Sequence, residues 1–104
     1  MMSAVHNREA EHRAEVLVVD ADGASAEFVS SALRGYGMRT RIAHDPRSAI
    51  SAAEAAPLDA ALIDVAAMRA SGVETARSLR NRCGSRLRLV AQAARPAQDL
   101  PALL

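Results

Sequence analysis

Hydrophobic residues along this chain form four short runs separated by segments of helical periodicity. The runs Glu15–Asp20 and Asp59–Asp64 are apolar between their ends, which is typical of strands buried on both faces. Residues 38–43 alternate between apolar and polar side chains, with Arg39 and Arg41 on the polar side, as in an edge strand. Arg86–Ala91 is again largely apolar and predicts a fourth strand.

Three helices are predicted between these strands. Asp22 is placed to cap the first helix, which ends at Gly35, and Asp45 with Pro46 begins a second that runs to about Ala56. The third helix follows a predicted loop, residues 65–71, begins at Gly72 and ends near Cys83. The helical residues expected to face inward are Ala24, Phe28, Val29, Ala32, Leu33, Ala49, Ile50, Ala53, Val73, Ala76 and Leu79.

This alternation of strands and helices predicts an α/β fold with a parallel, doubly wound sheet. We expect residues 15–104 to form one domain and residues 1–14, which lack periodicity, to be a disordered leader. In the doubly wound strand order 2-1-3-4, the first and third strands are neighbours. The crevice above their carboxyl ends is where ligands bind in such sheets.

Composition excludes several classes of function. A net charge of +1 and 2% aromatic residues argue against a nucleic-acid partner. The single cysteine, Cys83, excludes a disulfide framework. No apolar stretch is long enough to span a membrane, and residues 1–14 do not resemble a secretory signal, so the cytoplasm is the expected compartment.

Two aspartates carry the candidate chemistry. Asp20 and Asp64 end the first and third strands, so they are expected to face each other, with Asp22 two residues beyond Asp20. Clustered carboxylates repel unless they bind a divalent cation or take up a proton, and Mg²⁺ suits such a site. The alternative interpretation is that Asp20 and Asp22 only cap a helix and that Asp64 caps a turn.

Four segments in order resemble the receiver domain of two-component response regulators. They are Val16–Asp22, Ala61–Val65, Ala67–Glu74 and Leu89–Ala94, which resemble the acidic first strand, the phosphoacceptor strand, the loop after it and the switch strand. The resemblance implies a flavodoxin-like fold that lacks the fifth strand and the last helix, as in a degenerate and C-terminally truncated receiver.

The resemblance also implies a mechanism. Asp64 would accept a phosphoryl group from a histidine kinase or a phosphotransfer protein, so the chain would be a signalling domain and not an enzyme. Mg²⁺ would be held by Asp20, Asp64 and the backbone carbonyl of Ala66, with Asp22 as a weaker ligand.

Several positions depart from the family pattern. Ala21 replaces the usual second acidic residue, Ala93 replaces the switch hydroxyl, and Met68 and Ser71 replace the proline and aspartate of the loop. No fifth strand is predicted, so its usual lysine is expected to be absent as well. Mg²⁺ affinity is therefore expected to be weak or lost, and two interpretations stay open: a phosphoacceptor with altered output, or an interaction module that works without phosphorylation.

The edge of the fourth strand is a further candidate surface. Residues 87–91 are apolar apart from Arg88, and such an edge favours pairing with a second copy or another protein.

A different class of protein shares the first motif. Residues 18–23 resemble the opening motif of haloacid-dehalogenase-type phosphatases, in which Asp20 would be the nucleophile and Asp22 the acid/base. The later serine or threonine and the lysine of those enzymes have no counterpart at a suitable place.

Overall fold

The computed structural model describes residues 13–92, which form a four-stranded parallel sheet with helices on both faces. The expected leader falls outside this range except for Arg13 and Ala14, and the switch position Ala93 also lies outside it. In chain order the elements are β1 (Glu15–Val19), α1 (Gly23–Gly35), β2 (Arg39–Ala43), α2 (Pro46–Ala55), β3 (Ala60–Asp64), α3 (Val65–Met68), α4 (Ala70–Cys83), a 3₁₀ turn (Gly84–Arg86) and β4 (Arg88–Gln92).

The strand order is β2-β1-β3-β4, which confirms the predicted flavodoxin-like, doubly wound class. All three strand pairs are parallel, and Val18 lies between Ile42 of β2 and Leu62 of β3 in the register. Because β1 and β3 are adjacent, the residues that follow them meet at the carboxyl edge of the sheet.

One face of the sheet holds the main apolar core. Leu17, Val19 and Ile63 pack there with Ala49 of α2 and Leu79 of α4. Helix α1 lies on the opposite face against β1 and β2. Within residues 13–92, no helix is long and apolar enough to cross a membrane.

Helix α1 corrects the predicted set of inward-facing residues. Phe28 is 78% exposed, and the buried positions are Ala26 and Ser30. The helix turns its Ser30 side inward because the Ser30 hydroxyl hydrogen-bonds with the Thr40 hydroxyl of β2 and accepts from Arg34 Nη1. Apolar residues therefore occupy two sides of α1, and only one of these sides faces the sheet.

Helix α4 shows a similar correction. Val73, expected to face inward, is 48% exposed, whereas Thr75 is buried and Leu79 is buried as predicted. Thr75 satisfies its hydroxyl by donating to the carbonyl oxygen of Ser71, so a polar residue occupies the inner side of the helix.

Arg41 of β2 makes polar contacts that the alternating pattern of the strand does not predict. Its Nη1 donates to the carbonyl oxygen of Ala52, and its Nη2 to that of Ala56, at the end of α2. Its Nε lies 3.3 Å from a carboxylate oxygen of Glu15. Arg41 thus satisfies carbonyl groups that the end of a helix leaves without intrahelical partners.

The segment after β3 was predicted as a loop and is instead the one-turn helix α3. Alanine and methionine favour helix, and the segment contains no proline to prevent it. Arg69 follows at φ 54°, and α4 begins at Ala70, two residues before the predicted start at Gly72. A Cβ at Gly72 would lie 3.2 Å from the Cα of Val65, so the missing side chain lets α4 approach α3 closely.

Candidate functional site

The candidate site is a pair of buried aspartates at the carboxyl edge of the sheet. Val19 pairs with Ile63 in the β1–β3 register, so the next residues, Asp20 and Asp64, lie side by side. The two carboxyl groups are close enough for the charge of Asp64 to act on Asp20, and the residues are only 2% and 5% exposed. The structure therefore brings together the two residues on which the sequence prediction depends.

Burial raises the pKa of the Asp20 carboxyl group. The backbone amide of Asp22 donates to Asp20 Oδ1 at 2.9 Å and lowers that pKa, but the negative charges of Asp64 and Asp22 and the hydrogen bond to Asp64 raise it. The net direction is upward. Asp20 thus retains its proton more readily than an isolated aspartate does, unless a cation compensates the negative charges around it.

Asp22 lies beside this pair but serves α1. Its Oδ1 accepts from the backbone amide of Ala24 at 3.1 Å, and its Oδ2 accepts from the Ser25 hydroxyl at 2.9 Å. The residue is exposed, and both carboxylate oxygens are occupied in capping the helix, as the sequence predicted.

His44 is a neighbour of the site that the sequence analysis assigned no role. It follows β2 at the same edge, and its Nδ1 lies 2.9 Å from the backbone carbonyl oxygen of Asp20. A protonated Nδ1 donates a hydrogen bond at that distance, which holds the Asp20 backbone in place together with the bond from Asp20 N to Ala43 O. In the sequence, this role is indicated by the position of His44 directly after β2, the strand adjacent to β1.

Ala66 is the second residue of α3 and so follows Asp64 by two positions. Gly72 has no side chain, which lets α4 pack closely against α3. The use of the Ala66 carbonyl oxygen as a metal ligand stays a prediction.

The donor groups at this edge suit a hard cation. Asp20 and Asp64 supply carboxylate oxygens that are buried, adjacent and mutually repulsive when both are ionised. Within residues 13–92, no group of three or more His, Cys, Asp or Glu side chains is arranged to hold a metal. Two carboxylates fit Mg²⁺, which is usually bound through one or two carboxylates and keeps other positions for water or phosphate oxygens.

Solved structures similar to this chain are response regulators and their receiver domains. A CheY-like receiver domain from Methylobacillus flagellatus matches with a TM-score of 0.72 and 23% identity, over 80% of this chain and 71% of that one. The response regulator TrrA of Thermotoga maritima, in complex with Mg²⁺ and BeF, matches with a TM-score of 0.71 and 21% identity, over 86% and 79%.

A third match is to a complex of T. maritima TrrA with the histidine kinase ThkA, with a TM-score of 0.69, 18% identity and coverage of 84% and 78%. No family model matches the sequence, and no curated protein matches it. The chain therefore has the fold of a response-regulator receiver domain, and this likeness alone leaves the activity of its site to be argued from its residues.

Proposed function

We propose that this chain is a receiver domain of a phosphorelay, in which Asp64 accepts a phosphoryl group from a histidine kinase or a phosphotransfer protein. The observation that carries the proposal is the contact between two buried carboxyl groups, Asp20 and Asp64, at the ends of adjacent parallel strands. The complex of a similar response regulator with a histidine kinase supports the partner class.

Asp64 would act as the nucleophile. One of its carboxylate oxygens attacks the phosphorus of a phosphohistidine, an acyl phosphate bond forms, and the phosphorus–nitrogen bond breaks. The released imidazole nitrogen takes a proton from water. The chain accepts one group and does not turn over a substrate in this step, so we class it as a signalling domain and not as an enzyme.

Asp20 and Asp64 would hold Mg²⁺, and bound Mg²⁺ would neutralise charge on the transferring phosphoryl group. The complex of a similar response regulator with Mg²⁺ and BeF supports this choice of ion. We do not include Asp22 among the main ligands, because its carboxylate caps α1. The same engagement disfavours Asp22 as the acid/base of a dehalogenase-type phosphatase.

The output of the domain would depend on protein contacts. Within residues 13–92, β4 is one of the two outer strands of the sheet, and Val90 on it is 48% exposed. We expect this edge to accept a strand from a partner protein, in line with the usual fate of exposed apolar edges.

The test is phosphoryl transfer to the full chain from acetyl phosphate or a phosphorylated kinase with Mg²⁺, followed by intact-mass measurement. Wild type should gain one phosphoryl group, and Asp64→Asn should gain none. Asp59→Asn is the matched control, because Asp59 precedes the same strand at its other end, where it accepts a hydrogen bond from the Glu15 amide.

Labelling that survives in Asp64→Asn would show that another residue is the acceptor. A folded wild-type protein that takes no label from any donor would favour the interaction module that works without phosphorylation.

A further inference from the structure

The two aromatic residues of this chain are both exposed, and both belong to the α1 region. The sequence contains one Phe, one Tyr and no Trp. Phe28 is 78% exposed and Tyr36 is 84% exposed. Large aromatic side chains are usually largely buried, and on protein surfaces they are enriched at interfaces. The outer side of α1 is therefore a candidate contact surface.

Apolar residues continue along this outer side. Ala24, Phe28 and Ala32 are spaced four residues apart, and Tyr36 follows at the same spacing directly after the helix. All four are exposed, whereas Ala26 and Ser30 face the sheet. We call Ala24, Phe28, Ala32 and Tyr36 the outer stripe. A helix with apolar residues on two sides is typical of one that is covered on both.

A pair of opposite charges borders the outer stripe. Glu27 and Arg34 lie on one flank, with their side chains 68% and 51% exposed and 4.0 Å apart. Arg34 is held in place because its Nη1 donates to the hydroxyls of Ser30 and Thr40. Its Nη2 faces Glu27. This flank therefore carries a negative charge near the start of α1 and a positively charged side chain, held by hydrogen bonds, near the end of the helix.

We propose that the outer stripe is the contact between two copies of this chain, packed as antiparallel α1 helices about a twofold axis. The register that sets Phe28 against Ala32 of the second copy also sets Ala24 against Tyr36 of the second copy. Each Phe28 and each Tyr36 then packs on an alanine of the other copy, so the twofold axis generates every contact in both directions. Glu27 lies beside Arg34 of the second copy, so the flank forms two intermolecular ion pairs.

The antiparallel direction is the one that the side chains favour. A parallel pair in register would set Phe28 against Phe28 with no small residue opposite it. A second copy is the occupant that fits, because the stripe and its charged flank are complementary to themselves when one helix is reversed. A helix of this length, ~20 Å, buries less than the ~800 Å² per partner of a standard interface, so we expect a weak dimer.

This arrangement keeps both candidate sites open. Asp22 caps the start of α1 next to Asp20, so reversing the second helix places the two Asp20–Asp64 pairs at opposite ends of the dimer. The dimer proposal does not depend on phosphorylation of Asp64, and its test involves neither Mg²⁺ nor a phosphoryl donor.

The first test is sedimentation velocity of the full chain over a concentration series. The wild-type sedimentation coefficient should rise with concentration, and Phe28→Ser should weaken the dimer by ~10-fold or more, as for a central aromatic contact. Val73→Ser is the matched control, because Val73 is 48% exposed on α4, and it should leave the dimer unchanged. A wild type that stays monomeric, or a dimer lost in Val90→Ser and not in Phe28→Ser, would overturn the proposal.

The second test measures direction by cross-linking in a Cys83→Ser background. With antiparallel helices in this register, Ser31 lies about 3 Å along the axis from Ser31 of the second copy, and Ala24 lies about 18 Å from its counterpart. Ser31→Cys should therefore form an interchain disulfide, and Ala24→Cys should not. Cross-linking of both variants would indicate parallel helices, and cross-linking of neither would exclude this contact.

Discussion

Asp20 and Asp45 follow neighbouring strands at the same edge of the sheet, yet their surroundings affect the carboxyl group in opposite ways. Asp45 is exposed and caps α2, where hydrogen bonds from the Ser48 amide and hydroxyl lower its pKa. Asp20 is 2% exposed beside Asp64, and burial raises its pKa. The surroundings of Asp45 stabilise its charged form, whereas the surroundings of Asp20 destabilise its charged form.

The difference separates a structural aspartate from a functional candidate. A cap stabilises the fold by satisfying backbone amides at the start of a helix. A buried pair of carboxyl groups costs stability once both are ionised, so it is expected where a ligand supplies the missing positive charge. The comparison thus supports the Asp20–Asp64 pair as the site and Asp45 as part of the scaffold.

The largest expected effect is stabilisation by Mg²⁺. At a Mg²⁺ concentration of 100 times its Kd, the free energy of unfolding of wild type should rise by about 2.7 kcal/mol. Asp20→Asn should lose most of this increment, because it removes one of the two proposed carboxylate ligands. Urea unfolding with and without Mg²⁺, followed by circular dichroism, measures both values.

Asp45→Ala is the control for that experiment, since Asp45 lies outside the pair and should leave the Mg²⁺ increment intact. An equal increment in wild type and Asp20→Asn would show that Mg²⁺ binds elsewhere on the chain.

Local sequence signals were enough to predict the strands, their order, the caps at Asp22 and Asp45, and the meeting of Asp20 with Asp64. These features depend on apolar runs, on cap residues next to helix starts and on the general topology of parallel sheets. Each of them is encoded by residues close together in the chain or by rules that hold for the whole fold class.

The errors arose where tertiary contacts decide between local alternatives. Phe28 and Ser30 both lie on α1, and the hydrogen bonds of Ser30 with Thr40 and Arg34 settle which side faces the sheet. The alternation of β2 places Arg41 on its polar side, but it does not show that the guanidinium reaches carbonyl groups of α2. Periodicity within one element does not show a polar contact with the next element of the chain.

The second-largest expected effect is the loss of stability when the side chain that caps α1 or α2 is removed. Asp22→Ala should lower the free energy of unfolding by about 1 kcal/mol, and Asp45→Ala should lower it as well, because each removes a side-chain acceptor at a helix start. Neither change should alter the Mg²⁺ increment. A reduced increment in Asp22→Ala, with Asp45→Ala unaffected, would show that Asp22 leaves its cap to bind the metal.

The smallest effect is on the pH dependence of stability without Mg²⁺. The folded-state pKa of Asp20 is raised, so its contribution to the free energy of unfolding is complete below the ordinary aspartate value and is lost as pH rises through the folded value. Asp45 has the opposite sign, because its lowered pKa gives a contribution that is present above the ordinary value and lost as pH falls.

Urea unfolding across the acidic and neutral range should therefore show Asp20→Asn gaining stability relative to wild type as pH rises. Asp45→Ala should show its largest loss at neutral pH, and this loss should shrink in acid. A difference between wild type and Asp20→Asn that is constant with pH would mean that the pKa of Asp20 is not raised in the folded protein. The proposed repulsion between Asp20 and Asp64 would then not be the reason for a cation to bind at this edge.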